Sequence, residues 1–343
     1  MKNLVLFAFL LLLALAGCDP KPQELVIIAG DKDTTLFVQP FGMSGDAKGN
    51  LFIADVGKNC ITMLKPDGTV TVYAGTGAEG NADGSRLAAS FSAPSGICFD
   101  RQGNMYIAGF GGQNVRKITP GGEVSTVAGT GEGGYTDGPA GQARFSSPRG
   151  ICIDSKGNLY VGDCWNHRIR RIDTSGIVTT FAGGGKTGEL LVNDWRDGAD
   201  TTARFDAPCG LAIDRSDNIY VADANNSCIR KITPGGYVTT LAGAGRQRGL
   251  VDGGPGVSRL SVPTELTVTD DNEVYFSDTY NNCIRKIDSN GNVSTLAGTG
   301  EKGFTNGLPL ESLLSSPRGI YISKGKLYFA EWGNHTVRML KLR

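Results

Sequence analysis

Few residues of this 343-residue chain combine a reactive side chain with a recurring position, and they form two groups. His167 and His335 are the only histidines, and each follows an asparagine. An acidic residue recurs at the same place in five similar segments, as Asp55, Asp163, Asp223, Asp278 and Glu331. Imidazoles and carboxylates are common ligands of catalytic metals and common general acids and bases. These residues are therefore the candidates for a metal site or an acid–base site.

Their positions favour a structural role. The two histidines fall in the third and sixth of six repeats, which the architecture inferred below places on opposite sides of a ring. A catalytic zinc ion usually has three protein ligands, and these two imidazoles would be too far apart to share one directly. An acid in one register of five repeats is typical of an Asx turn that holds a loop. We predict no catalytic residue, no metal and no cofactor.

The cysteines give no metal motif either, because no Cys-x-x-Cys pair is present. Cys60, Cys228 and Cys283 share one register, and equivalent positions in different repeats of a ring lie beyond the ~7 Å between Cα atoms that a disulfide tolerates. We expect few or no disulfides and mostly buried thiols among the seven cysteines that follow Cys18, which are Cys60, Cys98, Cys152, Cys164, Cys209, Cys228 and Cys283.

Residues 1–17 have the features of an export signal. Lys2 precedes an apolar run, Leu4 to Ala16, that is too short to span a bilayer as a mature helix. The run ends in Leu15-Ala16-Gly17-Cys18, which resembles a bacterial lipobox, and the resemblance implies cleavage before Cys18 and lipid on its sulfur. An ordinary signal peptide with a chance cysteine is the alternative. We expect a lipidated Cys18 with a linker at 18–23, and a protein exported and anchored to the bacterial cell envelope, on its periplasmic or surface side.

The remaining residues, 24–343, are built from six repeats. The segment Asn158-Leu-Tyr-Val-Gly-Asp163 recurs every 53 to 60 residues, and a Pro-x-Gly precedes each copy except the fifth, where Pro263 is followed by Glu265. Each repeat reads as four short strands, a to d, and the 50 glycines supply the turns. We predict an all-β fold, a six-bladed β-propeller of four-stranded antiparallel blades.

The two ends of the chain indicate how the ring closes. The last repeat stops at Arg343 after strand c, and the segment Leu25 to Gly30 matches the strand-d copies Val124 to Gly129 and Val293 to Gly298. We predict that this N-terminal strand completes the sixth blade and pairs an edge that would otherwise be open.

The pattern Pro-x-Gly-Ile, then Gly-Asn-Leu-Tyr-Val-x-Asp-x-x-Asn-His-Arg-Ile-Arg, closely resembles the NHL-repeat family, and residues 148 to 172 carry its most complete copy. The resemblance covers essentially all of 24–343. It implies a six-bladed propeller of a kind that mostly binds protein or RNA, with a minority of related metal-dependent hydrolases or lyases. It therefore implies a fold and leaves the function open.

Two further patterns concern packing. The aromatic residues at one register of strand b fit packing between blades; they are Phe52, Tyr106, Tyr160, Tyr220, Tyr275 and Tyr328. Strand c carries an arginine in five blades, and we hypothesise that each arginine reaches the acid of the following blade. The expected pairs are Arg116–Asp163, Arg170–Asp223, Arg230–Asp278, Arg285–Glu331 and Arg338–Asp55.

Large side chains outside the packing registers are candidates for ligand contact. In a propeller the b–c and d–a loops share one face, the top face, and aromatic residues in loops often mark binding surfaces. Packing onto neighbouring loops is the alternative. Together with the two histidines of the b–c loops, the predicted top-face ligand-binding residues are Phe110, Trp165, His167, Trp195, Tyr280, Trp332 and His335.

Two functions are compatible with these sequence features. The first is a membrane-tethered scaffold that binds a protein or carbohydrate on its top face. The alternative is a gluconolactonase-like, metal-dependent hydrolase or lyase with a central-channel site, for which Glu265 is the one acid at the start of a strand a. Lys+Arg and Asp+Glu both number 34, so the formal net charge is zero. Neutral charge and export argue against a nucleic-acid partner.

Overall fold

The computed structural model describes residues 24–30, 36–184 and 195–342. Six small antiparallel sheets stand in a ring, and strand a of each sheet packs against strand a of the next. The chain is therefore an all-β, six-bladed β-propeller, as predicted. Cys18, the proposed signal 1–17 and the linker 18–23 lie outside the described residues.

Each blade is an antiparallel sheet in the order a, b, c, d. In blade 1 these strands are Pro40–Gly45, Leu51–Asp55, Cys60–Leu64 and Val70–Ala74. In blade 2 they are Pro94–Phe99, Met105–Gly109, Asn114–Ile118 and Glu123–Ala128. In blade 3 they are Pro148–Ile153, Leu159–Asp163, Arg168–Ile172 and Ile177–Ala182. In blade 4 they are Pro208–Ile213, Ile219–Asp223, Cys228–Ile232 and Tyr237–Ala242. In blade 5 they are Pro263–Val268, Val274–Asp278, Cys283–Ile287 and Val293–Ala297.

The sixth blade uses both ends of the chain. Its strands a to c are Pro317–Ser323, Lys326–Glu331 and Thr336–Lys341, and its strand d is Leu25–Ala29. Leu25 lies opposite Leu340 and is fully buried, whereas Gly30 lies against His335 at the top face. The N-terminal strand therefore enters from the bottom face and closes the ring, which confirms the predicted closure.

Short 3-10 turns and two-residue strands lie outside the regular strands of the blades. Three-residue 3-10 turns occur at Val56–Lys58, Cys164–Asn166, Asp200–Thr202, Thr279–Asn281 and Pro309–Glu311. Blades 2, 3 and 4 each gain a two-residue fifth strand on the outer side of strand d, at Gly84–Ser85, Gly138–Pro139 and Gly198–Ala199. These strands come from the preceding d–a loop, so three blades have five strands where four were predicted.

An aspartate holds the a–b hairpin on the bottom face in blades 1 to 4. In blade 3, Asp154 accepts hydrogen bonds from the backbone N–H of Lys156 and from both the backbone and side-chain nitrogens of Asn158. Gly157 has φ 90°, which glycine adopts without a steric penalty. The recurring glycine–asparagine pair of the sequence is therefore turn chemistry.

The hydrophobic core lies between neighbouring blades. The strand-b aromatic residue of one blade packs on the next: Phe52 contacts the cluster of Phe91 and Ile107, and Tyr220 contacts that of Leu260 and Phe276. The packing interpretation of this aromatic register is confirmed.

The hypothesis of ion pairs between blades is wrong. Arg170 Nη1 lies 2.7 Å from Asp163 Oδ2 in its own blade. Arg230–Asp223, Arg285–Asp278 and Arg338–Glu331 repeat the arrangement, at 2.7, 2.8 and 2.5 Å. Blade 2 has Gly109 in place of the acid, and its Arg116 pairs instead with Asp83 at 2.8 Å. The register explains this, because the arginine lies opposite the residue two before the acid, and such diagonal neighbours are within reach of a long side chain.

The strand-b acids also join two loops on the top face. Asp163 Oδ1 accepts a hydrogen bond from the backbone N–H of Ser146 in the d–a loop, and Oδ2 accepts one from Asn166 in the b–c loop. The acid is structural and holds the b–c loop, as expected, but it does so through the side chain of Asn166 and not through the predicted Asx turn, and it also binds the d–a loop.

No helix within 24–30, 36–184 and 195–342 is long and apolar enough to cross a bilayer. All seven cysteines after Cys18 are unpaired, and six of them are buried, as expected.

Candidate functional site

The six strands a converge so closely on the ring axis that the third residue of the Pro-x-Gly motif has no room for a side chain. A Cβ built on Gly42 would lie 2.2 Å from the carbonyl oxygen of Ser95, and one on Gly150 would lie 2.2 Å from that of Cys209. Blade 5 is the exception, because it carries Glu265 at this position. Its side chain is 8% exposed and borders a cavity of about 260 Å³ that residues of all six strands a line.

The middle residue of the motif lies in a β-bulge. In every blade the pairing of strand a with strand b shifts between the proline and the third residue after it. A bulge turns a side chain away from its regular direction and is common beside functional sites. These middle residues ring the upper end of the channel, which we call the channel mouth; they are Phe41, Ser95, Arg149, Cys209, Thr264 and Arg318.

Two arginines from opposite blades meet the same aromatic ring at the channel mouth. The guanidinium carbons of Arg149, in blade 3, and Arg318, in blade 6, lie 5.5 and 5.1 Å from the ring centre of Phe41. Phe41 itself is buried. The channel mouth therefore holds two positive charges around an apolar centre.

The b–c loops add a second layer of aromatic rings, from the residue that follows strand b. Phe110 lies 4.5 Å from the Arg149 guanidinium, and Trp332 lies 4.4 Å from that of Arg318. Trp332 also meets Phe41 edge to face at 6.1 Å. Each guanidinium is thus flanked by two aromatic rings, at distances typical of cation–π contacts.

Burial and neighbouring charges shift the pKa values of Arg318 and Glu265. Burial, followed by the charge of Arg149, lowers the pKa of Arg318 to about 10. Burial raises the pKa of Glu265 to about 8, and the nearby Cys209 adds to the rise. At neutral pH the Glu265 carboxyl group is therefore mostly protonated. The two arginines outnumber the one acidic thiol, Cys209, so the channel mouth keeps a net positive charge.

Two cysteines from neighbouring blades meet beside Arg149. The Cys164 thiol, in the b–c loop of blade 3, hydrogen-bonds to Cys209 in the start of strand a of blade 4, and both are buried. This bond, together with Arg149, whose Nη1 is 4.0 Å from Cys209 Sγ, lowers the pKa of Cys209 despite its burial. The same bond raises the pKa of Cys164. Cys209 is therefore the more acidic thiol.

The structure brings some of the predicted ligand-binding residues together. Phe110 and Trp332 stand at the channel mouth, one residue after strand b. Trp165 and Tyr280 occupy the next position of their b–c loops and are 52% and 62% exposed on the top face. Trp195, in a d–a loop, packs on Gly245, where an added Cβ would lie 2.7 Å from its ring.

His167 and His335 lie instead at junctions between blades. Both have positive φ, like Asn59 and Asn282 at the same position of other blades. His167 is buried, and its Nδ1 accepts a hydrogen bond from the backbone N–H of Ala207 in blade 4 at 3.2 Å. His335 Nδ1 lies 2.5 Å from the carbonyl oxygen of Val38 in blade 1. These contacts hold blades together, and a ligand contact by either histidine stays a prediction.

The sequence reasoning missed Phe41, Arg149, Arg318 and Cys209. One feature of the sequence could have indicated them. The middle residue of Pro-x-Gly differs in chemistry from repeat to repeat, whereas the residues on either side of it agree. No three His, Cys, Asp or Glu side chains in 24–30, 36–184 and 195–342 are grouped closely enough to hold a metal ion together.

Comparison with known sequences supports the repeat assignment. The family model described as NHL repeat matches residues 145–172 and 205–232. NHL repeat-containing protein 2 of Homo sapiens is 29% identical over 333 residues, covering 85% of this chain and 45% of the human protein. The chain spans less than half the length of such curated relatives.

Solved structures share the fold. An auxiliary nutrient binding protein from Bacteroides thetaiotaomicron superposes with a TM-score of 0.69 at 16% identity, covering 93% of this chain and 76% of that one. Virginiamycin B lyase from Staphylococcus aureus superposes with a TM-score of 0.58 at 16% identity, covering 94% of this chain and all of that one. At these identities the similarity concerns the fold alone.

Proposed function

Because the chain belongs to the NHL-repeat family, we propose that it is a membrane-tethered, extracytoplasmic propeller that binds a glycan on its top face. The observation that carries this proposal is the collection of aromatic side chains on that face. Phe110 and Trp332 flank the channel mouth, and Trp165 and Tyr280 are exposed in the b–c loops of the same face. Flat apolar rings beside a few polar groups are typical of small-ligand sites.

A glycan is preferred to a protein partner because flat apolar rings beside a few polar groups suit a small ligand, and the solved structures of similar fold include proteins described as auxiliary nutrient binding proteins. Those proteins share the propeller fold with this chain over 93% of its length. A protein partner remains the competing outcome of the test.

The proposed tether would orient the top face away from the membrane. Strand d of blade 6 begins at Leu25 on the bottom face. Only six residues separate Leu25 from the proposed lipid-bearing Cys18, and they span at most about 20 Å when extended. In this proposal the hairpins of the bottom face lie near the bilayer, and the channel mouth is open to large ligands.

The test compares top-face and bottom-face aromatic residues. Binding to neutral and acidic polysaccharides is measured by affinity electrophoresis for the wild type, Trp165→Ala, Trp332→Ala and the double variant. Tyr237→Ala is the matched control, because Tyr237 starts a strand d on the bottom face and is 52% exposed. Melting temperatures show whether each variant is folded.

We expect the folded top-face variants to lose glycan binding and Tyr237→Ala to retain it. Equal binding by all variants would overturn the proposal. Capture of a protein in place of a glycan would also overturn it, in favour of the protein-binding alternative. A stoichiometric metal in the purified protein, together with lactone hydrolysis, would favour the gluconolactonase-like alternative.

A further inference from the structure

We propose that the channel mouth is a carboxylate-binding site, in which Arg149 and Arg318 hold the acidic group of a ligand such as a uronic acid. This inference rests on the proposed top-face function and adds the chemistry of its ligand. It follows from the hydrogen-bonding state of the two guanidinium groups, from their aromatic neighbours and from a contrast with the fully buried arginines of strand c.

The first observation is that both guanidinium groups lack an acceptor. Within the described ranges, the Arg318 guanidinium makes no hydrogen bond to protein, and the Arg149 guanidinium makes one, to the sulfur of Cys209 at 4.0 Å. Their Nε atoms are buried without a partner, but so are those of Arg230 and Arg285, and the contrast with those arginines therefore lies in the terminal Nη nitrogens. No carboxylate of the described residues comes within 4 Å of either group. Both side chains are only partly buried, so their terminal N–H groups are accessible to an acceptor from outside the chain.

The second observation is that the fully buried arginines of strand c have protein acceptors. Arg170 is fully buried, and it donates to Asp163, to Asp137 and to the backbone carbonyls of Arg144 and Thr136. Arg230 and Arg285 have the same set of acceptors in their blades. The protein thus provides oxygen acceptors for the terminal nitrogens of its buried strand-c arginines. It provides none for Arg149 and Arg318, so we expect their acceptor to come from a ligand.

The third observation is that the nearest acid cannot serve as the missing partner. Glu265 lies within electrostatic range of both arginines but forms an ion pair with neither. Its Oε1 is also buried without a hydrogen-bond partner. Burial keeps it mostly protonated at neutral pH. A neutral Glu265 leaves the positive charge available and offers a donor and an acceptor to the hydroxyl groups of a ligand.

The aromatic rings explain why a carboxylate suits this site. Phe41 packs on both guanidinium groups, while Phe110 and Trp332 cover one each. Contact with two rings limits the movement of each guanidinium group, and its free N–H groups suit a planar, bidentate acceptor. Trp332 and the exposed Tyr280 would then stand beside the body of the ligand, and Tyr280 lies within electrostatic range of Arg318.

The experiment uses small carboxylates as probes. Glucuronate, galacturonate and benzoate are titrated into the full chain at constant ionic strength, and binding is followed by tryptophan fluorescence and by the melting temperature. The methyl esters of the two uronates and benzamide are the neutral counterparts. The variants are Arg149→Gln, Arg318→Gln and the control Arg215→Gln, whose side chain is 78% exposed in the bottom hairpin of blade 4.

We expect the carboxylates to bind in preference to their neutral counterparts. Each channel-mouth variant should weaken carboxylate binding about tenfold to a hundredfold, which is the range for a charged hydrogen bond, and Arg215→Gln should leave it unchanged. Unliganded Arg318→Gln should melt at the wild-type temperature or above it, because the substitution removes an unpaired charge that faces Arg149.

Three results would overturn the inference. They are no carboxylate binding by the wild type, equal binding of the neutral counterparts, and a melting temperature of Arg318→Gln that falls as far as that of a strand-c arginine variant. If neutral glycans bind through Trp165 and Trp332 while the carboxylates do not, the proposed function stands and this inference fails. If the carboxylates bind and no glycan does, the channel-mouth site stands and the glycan proposal fails.

Discussion

The guanidinium group of Arg170 forms a fully buried ion pair with Asp163 of the same blade, with Nη1 and Oδ2 2.7 Å apart. Asp163 in turn holds the loops on either side of the strand-a start, by accepting hydrogen bonds from Ser146 and Asn166. One carboxylate thus connects strand c to the loops that carry the channel mouth. The arrangement recurs in blades 4, 5 and 6.

Asp163→Asn should destabilise the protein strongly. It leaves Arg170 buried without its nearest counter-charge, and breaking one side of a buried pair typically costs about 3–5 kcal/mol. Asp137→Asn is the matched control, because Asp137 pairs with the same arginine but is partly exposed, so water can replace part of the lost interaction and the substitution should cost less than Asp163→Asn. Urea unfolding measures both. Equal losses in the two variants would contradict the central role of Asp163.

Glu265→Gln should become increasingly more stable than the wild type as the pH rises. The pKa of Glu265 is about 8 in the folded protein against an ordinary 4.5, so the folded chain keeps a proton that the unfolded chain releases. The stability linked to that proton is fully present below about pH 4.5 and is lost as the pH rises through about 8. Glutamine does not titrate, and the difference should grow by on the order of 1 kcal/mol per pH unit.

The check is urea unfolding of both proteins between about pH 5 and about pH 8. Arg149, Arg318 and the Cys209 thiol also face Glu265, and they are common to both chains, so the comparison isolates the carboxyl group. A difference in stability that does not vary with pH would show that Glu265 is ionised in the folded protein.

His167→Asn should fold with near wild-type stability, and His167→Leu should not. The position accepts a hydrogen bond from the next blade, and Asn59 and Asn282 fill the same role by accepting from Ala93 and Ser316 at 2.9 and 3.0 Å. Leucine would leave the N–H of Ala207 without an acceptor, at about 1–3 kcal/mol. Leucine at positive φ would add strain that asparagine avoids. Melting temperatures of the two variants check this, and a larger loss in His167→Asn would contradict it.

Removing residues 24–30 should open the ring. Leu25–Ala29 is strand d of blade 6, and without it Thr336–Lys341 would present an unpaired edge to other molecules. A chain that begins at Asp31 should melt at a lower temperature and aggregate in size-exclusion chromatography. The point variant Leu25→Ala, at a fully buried position, should cost about 2–5 kcal/mol without removing backbone pairs. An unchanged melting temperature in the shortened chain would refute closure by this strand.

The architecture was predictable because it depends on repetition and local pattern. Asn158-Leu-Tyr-Val-Gly-Asp163 encodes a turn and a strand wherever it recurs, and six copies specify six blades. The match of Leu25 to Gly30 with other strand-d copies was enough to predict closure. The packing of the strand-b aromatic residues between blades was predictable too, because equivalent positions in a ring have equivalent surroundings.

The channel mouth depended on tertiary structure. Arg149 and Arg318 are far apart in sequence and meet only because the ring brings all strand-a starts to one axis, where a bulge turns each middle residue of Pro-x-Gly toward its neighbours. The same holds for the contact of Cys164 with Cys209 and for the choice of Asp163 as the partner of Arg170. The repeats show which residues are equivalent. They do not show where a side chain points at a bulge, or which residue of the neighbouring strand a long side chain contacts. Those directions follow from the pleat, the bulge and the close approach of strands around the axis, which exist only in the folded ring.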